Sequence, residues 1–153
     1  MDDLVQWLHT QLDEDERIAR EAGASVGPVL GAMNWRLAES GSDDGGRYWR
    51  ITTLAPDDTV PTVELVGSGM SGGGVHEEAL GRHIVAHDPA RVLREIDAKR
   101  QVLAEYEQAA RYATTTWGQS NADQSRARTL GKVMRLLALP YADRPGYKES
   151  WRP

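Results

Sequence analysis

The chain reads as an α+β fold, with one opening helix, three short strands, then a short helix and two long ones. Three observations predict this. Apolar residues recur at helical spacing near both ends of the chain, and between them three runs alternate apolar and polar residues with period two. Glycine, proline and aspartate clusters fall between these segments, where they serve turns. With 153 residues, one domain covering 1–153 is expected, since that length can bury a core without staples.

The elements follow in order. Asp3 is expected to cap a helix over residues 3–22, with Gln6 completing a capping box. Leu4, Trp7, Leu8, Leu12, Ile18 and Ala22 share its apolar face, Asp13 to Glu16 look outward, and Gly23 stops it. Residues 23–32 hold Gly23, Gly27, Pro28 and Gly31 and read as loop. Strands are expected over Met33 to Glu39, Arg47 to Leu54 and Val60 to Val66, joined by turns rich in Gly, Asp and Pro. An antiparallel meander with one dry and one wet face results, the dry face needing helices as a lid. A glycine-rich loop, residues 67–74, leads to a short helix over about residues 76–86. Asp88 then caps a long helix with Pro89 in its first position, running to about Ala113. Its stripe is Val92, Leu93, Ile96, Leu103, Tyr106, Ala110 and Ala113. At 1.5 Å per residue this helix is roughly 39 Å long, more than a small sheet covers. Part of the stripe is therefore expected to meet another helix or a second subunit. A last helix, capped by Ser120 or Asn121, runs to Leu139 with Leu130, Val133, Leu136 and Leu137 as its apolar side, and Pro140 ends it. Tyr141, Tyr147 and Trp151 predict a tail that docks.

Composition narrows the function classes. Apolar residues make up 40% of the chain, enough for a core, and charged residues 27%, enough for a surface. No apolar run approaches the ~18 residues of a membrane span, and the N-terminus is acidic, unlike a signal peptide. A cytoplasmic address is expected. The absence of cysteine excludes disulfides, zinc ribbons and thiol nucleophiles. The net charge of −5 conceals an asymmetry: residues 1–90 carry 6 basic and 16 acidic side chains, residues 91–153 carry 12 and 7. Opposed halves can pair within the fold or across a subunit interface. A nucleic-acid binder is more often basic overall.

Two stretches carry a resemblance. His83 to Arg100 reads HIVAHDPARVLREIDAKR, and Leu136 to Pro153 reads LLALPYADRPGYKESWRP. With the acidic opening helix they resemble an uncharacterised domain-of-unknown-function family of actinobacteria, their integrated elements and their phages. More distantly, the order of helix, loop, small sheet and Asp-Pro-x-x-Val-Leu helix is similar to Ead-like phage early-region proteins, with Val26-Gly-Pro-Val29 at the loop position and no tryptophan there. The resemblance implies a mobile-element accessory protein and brings no catalytic residue or cofactor.

Four groups of residues could carry chemistry. His76, His83 and His87 fall near one helix face, and His83 with His87 has the four-residue spacing that lets two imidazoles share a metal. Packing is the preferred reading, because Leu80 and Ile84 lie close to that face. Gly67 to Gly72 spells G-x-G-x-x-G, yet Glu77 and Glu78 stand where a phosphate would bind, so a linker or lid is preferred. Arg128, Lys132 and Arg135 form a basic stripe that could touch nucleic-acid phosphates, face solvent, or pair with Asp13 to Glu16. On the outer sheet face Arg36, Tyr48 and Arg50, beside Thr52 and Glu64, suit an anionic or planar ligand or ordinary cross-strand pairing. Asp43, Asp44, Asp57 and Asp58 sit in turns, and no nucleophile elbow is present.

The sequence thus points to a non-enzymatic protein that binds a partner protein or small anionic ligand, without a cofactor, as a homodimer through the 88–113 helix. A metal-dependent hydrolase using His83 and His87, and DNA binding through Arg128, Lys132 and Arg135, are the alternatives.

Overall fold

A computed structural model describes residues 2–24, 33–41, 47–53, 64–66, 75, 77–115 and 120–153. The fold is α+β: α1 (Asp2–Ala24), β1 (Trp35–Gly41), β2 (Arg47–Thr53), β3 (Glu64–Val66), α2 (Glu78–Ala86), α3 (Pro89–Ala113) and α4 (Asn121–Ala138), followed by 3-10 turns at Leu139–Tyr141 and Glu149–Trp151. Among the described residues no helix is long and apolar enough to cross a membrane. The chain divides into two compact units, a helical one of Met1–Asp15 with Glu95–Pro153 and a sheet unit of Glu16–Arg94.

The helical unit is built on α1 residues one turn apart. Leu4, Leu8 and Leu12 are each no more than 1% exposed, as are Ile96 and Leu103 of α3 and Met134 of α4. Fully burying such a side chain contributes roughly 1.5–3 kcal/mol. Ser120 caps α4 by accepting from the Asp123 N–H. The buried stripe of α4 is Gly131, Met134 and Ala138, one residue beyond the expected Leu130, Val133 and Leu137. That is a rotation of about 100°. Small residues face inward, and Leu136 stands 54% exposed.

The tail docks as expected. Trp7 donates from Nε1 to the Pro145 carbonyl and packs against Tyr147 and Trp151 at centroid distances of 5.7 and 5.3 Å. Gly146, at φ +85°, makes the turn, and a Cβ there would stand 3.0 Å from the Trp7 indole nitrogen. Asp3 does not cap α1. It lies in the first turn, and its carboxylate accepts from Lys148 Nζ at 2.9 Å.

In the sheet unit β1 and β2 form an antiparallel ladder from Trp35↔Thr53 to Gly41↔Arg47. The sheet is the antiparallel meander expected from the sequence, in the order β1-β2-β3: the described part of β3 pairs with β2 at Ile51↔Val66 and Thr52↔Glu64, with a register shift between them. The expected start of that strand, residues 60–63, lies outside the described residues. Val75 pairs with Trp49 through two backbone hydrogen bonds of 2.8 and 3.0 Å, a contact the pattern does not announce.

β1 begins two residues late because its entry serves α3. The Met33 carbonyl accepts from the Ala90 N–H at 2.9 Å, and Asp88 accepts from the Trp35 N–H and, as helix cap, from the Arg91 N–H. α2 covers the dry face: a Cβ on Gly81 would collide with Leu37. α1 runs through Gly23 to Ala24, with Gly23 buried beside Met33, and Ile18 is half exposed, not part of an apolar face.

Candidate ligand groove between two helices

Within the helical unit a groove of about 880 Å³ opens between α3 and α4. Tyr106, Ala110 and Ala113 line it from α3, and Ala127, Gly131 and Leu136 from α4. Arg128, Lys132 and Arg135 line it as well, with Pro153. The volume lies within the ~300–1,000 Å³ of ordinary ligand sites, and a mostly apolar lining with a few aimed charges is their usual chemistry. Alanine and glycine wall residues leave room for a bulky occupant. From Arg128 to Arg135 the cations extend along α4 for about 10 Å, or two helical turns.

Those cations stand apart from their neighbours. Arg100 pairs with Asp13 at 2.7 Å, Arg144 with Asp15 at 2.6 Å, Lys148 with Asp3 at 2.9 Å and Arg126 with Glu105 at 2.7 Å. Arg111 reaches Glu107, Arg152 reaches Glu149, and Lys99 donates to the Tyr141 hydroxyl. Arg128, Lys132 and Arg135 have no such partner among the described residues. Of the acids expected to meet this stripe, Asp13 and Asp15 are engaged by Arg100 and Arg144 instead. On the other flank of α4 a smaller groove of about 550 Å³ contains Arg126, whose charge Glu105 meets.

The chain belongs to DUF6221, a family of unknown function, whose model matches residues 1–153. No curated protein and no solved structure matches it. The description of DUF6221 assigns no activity, so the remaining candidates of this DUF6221 chain rest on their own geometry.

On the sheet, ladder register places Arg36 opposite Thr52, Arg50 opposite Ala38 and Tyr48 opposite Ser40, all three candidates at positions of one face. Arg36 donates from Nε to Thr52 Oγ1 at 3.2 Å. This face is less open than expected, for Thr52 is 8% exposed. Arg50 Nε is buried without a hydrogen-bond partner. The side chain of Tyr48 lies outside the described residues, so the three are not shown to converge.

His83 and His87 are both exposed, and Leu80 beside them is 54% exposed. The expectation that they edge a buried face is corrected: α2 turns Gly81 inward, and the histidines look to solvent. Their ring centroids are 4.4 Å apart. Among the described residues no group of three or more potential ligands is placed to hold a metal. His76, the 67–74 loop and the four turn aspartates lie outside the described residues.

Sequence reasoning missed one polar cluster. The Tyr141 hydroxyl donates to Asp15 at 2.9 Å and accepts from Lys99 at 3.2 Å, and the Arg144 guanidinium lies 4.7 Å from the ring centre. Burial, then the Asp15 carboxylate, pushes the Tyr141 hydroxyl far above the usual phenol range. Through Asp15 the Tyr141 hydroxyl fastens the tail to α1. The signal available in the sequence is Arg144, three residues after Tyr141 in a tail read for its aromatic residues.

Proposed function

We propose that this chain is a non-enzymatic binding protein whose working surface is the α3–α4 groove, and that its occupant is an acidic amphipathic helix of a partner protein. One observation carries the reading: three cations that have no acidic partner among the described residues border an apolar groove with alanine and glycine in its walls. Small side chains let a helix approach closely, apolar anchors fill the floor, and acidic residues on its flank meet Arg128, Lys132 and Arg135. Nucleic acid suits the same charges but not the apolar lining, because phosphate contacts gain nothing from apolar alanine walls. The resemblance to mobile-element families supports an accessory role in an actinobacterial element or phage.

The test uses a fluorescent helix-forming peptide with leucines at one-turn spacing and glutamates beside them. Changing Arg128, Lys132 and Arg135 together to Gln is expected to weaken binding roughly tenfold, from about 0.5 kcal/mol per exposed charge. Ala110→Trp, which fills the groove, is expected to abolish it. Tighter binding to duplex DNA than to the peptide would refute the occupant. So would a dimer at micromolar concentration that Ala110→Trp dissolves, which would install a second copy docked through Pro89–Ala113.

A further inference from the structure

The solvent face of α2 holds a second feature, independent of the groove. His83 lies in the last turn of the helix and His87 caps its end, four residues on. Four-residue spacing projects two side chains side by side. In this chain the rings lie with centroids 4.4 Å apart and planes inclined by 48°.

The hydrogen bonding selects a tautomer. His87 Nδ1 is 2.8 Å from the His83 carbonyl, and a carbonyl only accepts, so Nδ1 carries the proton. In the neutral ring the lone pair then resides on Nε2. A backbone carbonyl holding one ring nitrogen is the usual support for a metal-binding imidazole, because it fixes both the tautomer and the ring orientation. The C-terminal end of a helix also carries partial negative charge, which favours a cation there. Arg91 donates to the neighbouring Ala86 carbonyl at 2.6 Å, and among the described residues the nitrogen ligands offered here are the two imidazoles.

We propose that His83 and His87 chelate one borderline divalent ion of the zinc, nickel or copper type, with water in the remaining positions. Two nitrogens bound to one tetrahedral ion stand about 3.3 Å apart, given metal–nitrogen bonds of ~2.0–2.1 Å. The rings lie side by side with centroids 4.4 Å apart, and chelation requires their ring nitrogens to turn to that separation about the side-chain bonds. Imidazole is a ligand for this ion class, whereas calcium and magnesium take oxygen donors. Water in the open positions leaves the ion exchangeable, as befits an exposed pair of ligands.

Calorimetric titration of the untagged full chain with Ni²⁺ tests the assignment. One saturable ion per chain is expected, retained in His9→Ala, whose ring is engaged by Glu107 at 3.2 Å. His83→Ala and His87→Ala are each expected to weaken it by tenfold or more. Both rings are exposed, so unchanged helical circular dichroism will accompany the loss. A Zn²⁺ titration followed by NMR should shift the ring protons of His83 and His87 together. No saturable binding, or unchanged affinity in the two variants, would overturn the proposal.

Discussion

Among the described residues the two units differ in how far their ion pairs reach along the chain. In the sheet unit, Arg17–Glu21, Arg20–Glu16 and Arg82–Glu78 are all one-turn pairs within a single helix. In the helical unit Asp3, Asp13 and Asp15 of α1 reach Lys148, Arg100 and Arg144, far away in sequence. One-turn pairs support a helix by ~0.2–0.5 kcal/mol and say nothing about what it packs against. Long-range pairs specify which segments meet. The acidic and basic halves of the chain thus meet in part within the helical unit, where, among the described residues, Arg128, Lys132 and Arg135 beside the groove are without an acidic partner.

The largest test of this difference compares Asp15→Ala with Glu21→Ala. Asp15 accepts from both the Tyr141 hydroxyl and Arg144, and its side chain is 19% exposed. Its removal leaves two donors facing a partly buried gap, a loss of roughly 2–3 kcal/mol. Glu21, 63% exposed, is expected to cost under ~0.5 kcal/mol. Urea unfolding of both variants decides it. Equal losses would mean that the long-range pairs specify nothing.

The same contrast explains what was legible in the sequence. Helices α1 to α4 were readable because their apolar spacing, the caps at Asp88 and Ser120, and Pro89 act within one or two turns. The late start of β1 was not, since it depends on Met33 and Trp35 serving a helix far along the chain. The rotation of α4 was hidden for a related reason. Leu130, Val133 and Leu137 look like the core face, but Gly131 and Ala138 take it because small residues allow closer packing, and hydrophobicity does not register that. Arg128, Lys132 and Arg135 were legible as a stripe, while the groove beside them needed the α3 wall of Tyr106, Ala110 and Ala113.

A middle-sized effect sharpens the role of Tyr141, which is 3% exposed. Tyr141→Phe removes the bond to Asp15 and is expected to cost about 1–2 kcal/mol at neutral pH. The folded chain holds this phenol neutral, so its pKa lies above that of the unfolded chain, about 10. Stability from this source is complete below that pH and is lost as pH rises beyond it. The variant should therefore unfold less steeply with rising alkalinity than the parent. Some slope should persist, because burial, then the Asp2 charge, raises Tyr106 as well. Identical alkaline limbs in parent and variant would show that Tyr141 is not held neutral by the fold.

The smallest effect belongs to Asp3, the exposed member of the α1 series. The hydrogen bond from Lys148, then its charge, holds the Asp3 carboxyl below the usual carboxylate range. The contribution is present above the unfolded carboxylate pKa of about 3.9 and is lost as pH falls through the folded value. Asp3→Asn should leave melting at neutral pH nearly unchanged and slightly flatten the acid limb. Salt should erase even that difference, because solvent and ions screen an exposed pair. Asp3 also stands in the first turn of α1, where a negative charge meets the helix dipole, so some of the small effect will survive in Lys148→Gln. If Asp3→Asn instead melts as early as Asp15→Ala at neutral pH, the tail is fastened at its exposed end and not around Tyr141.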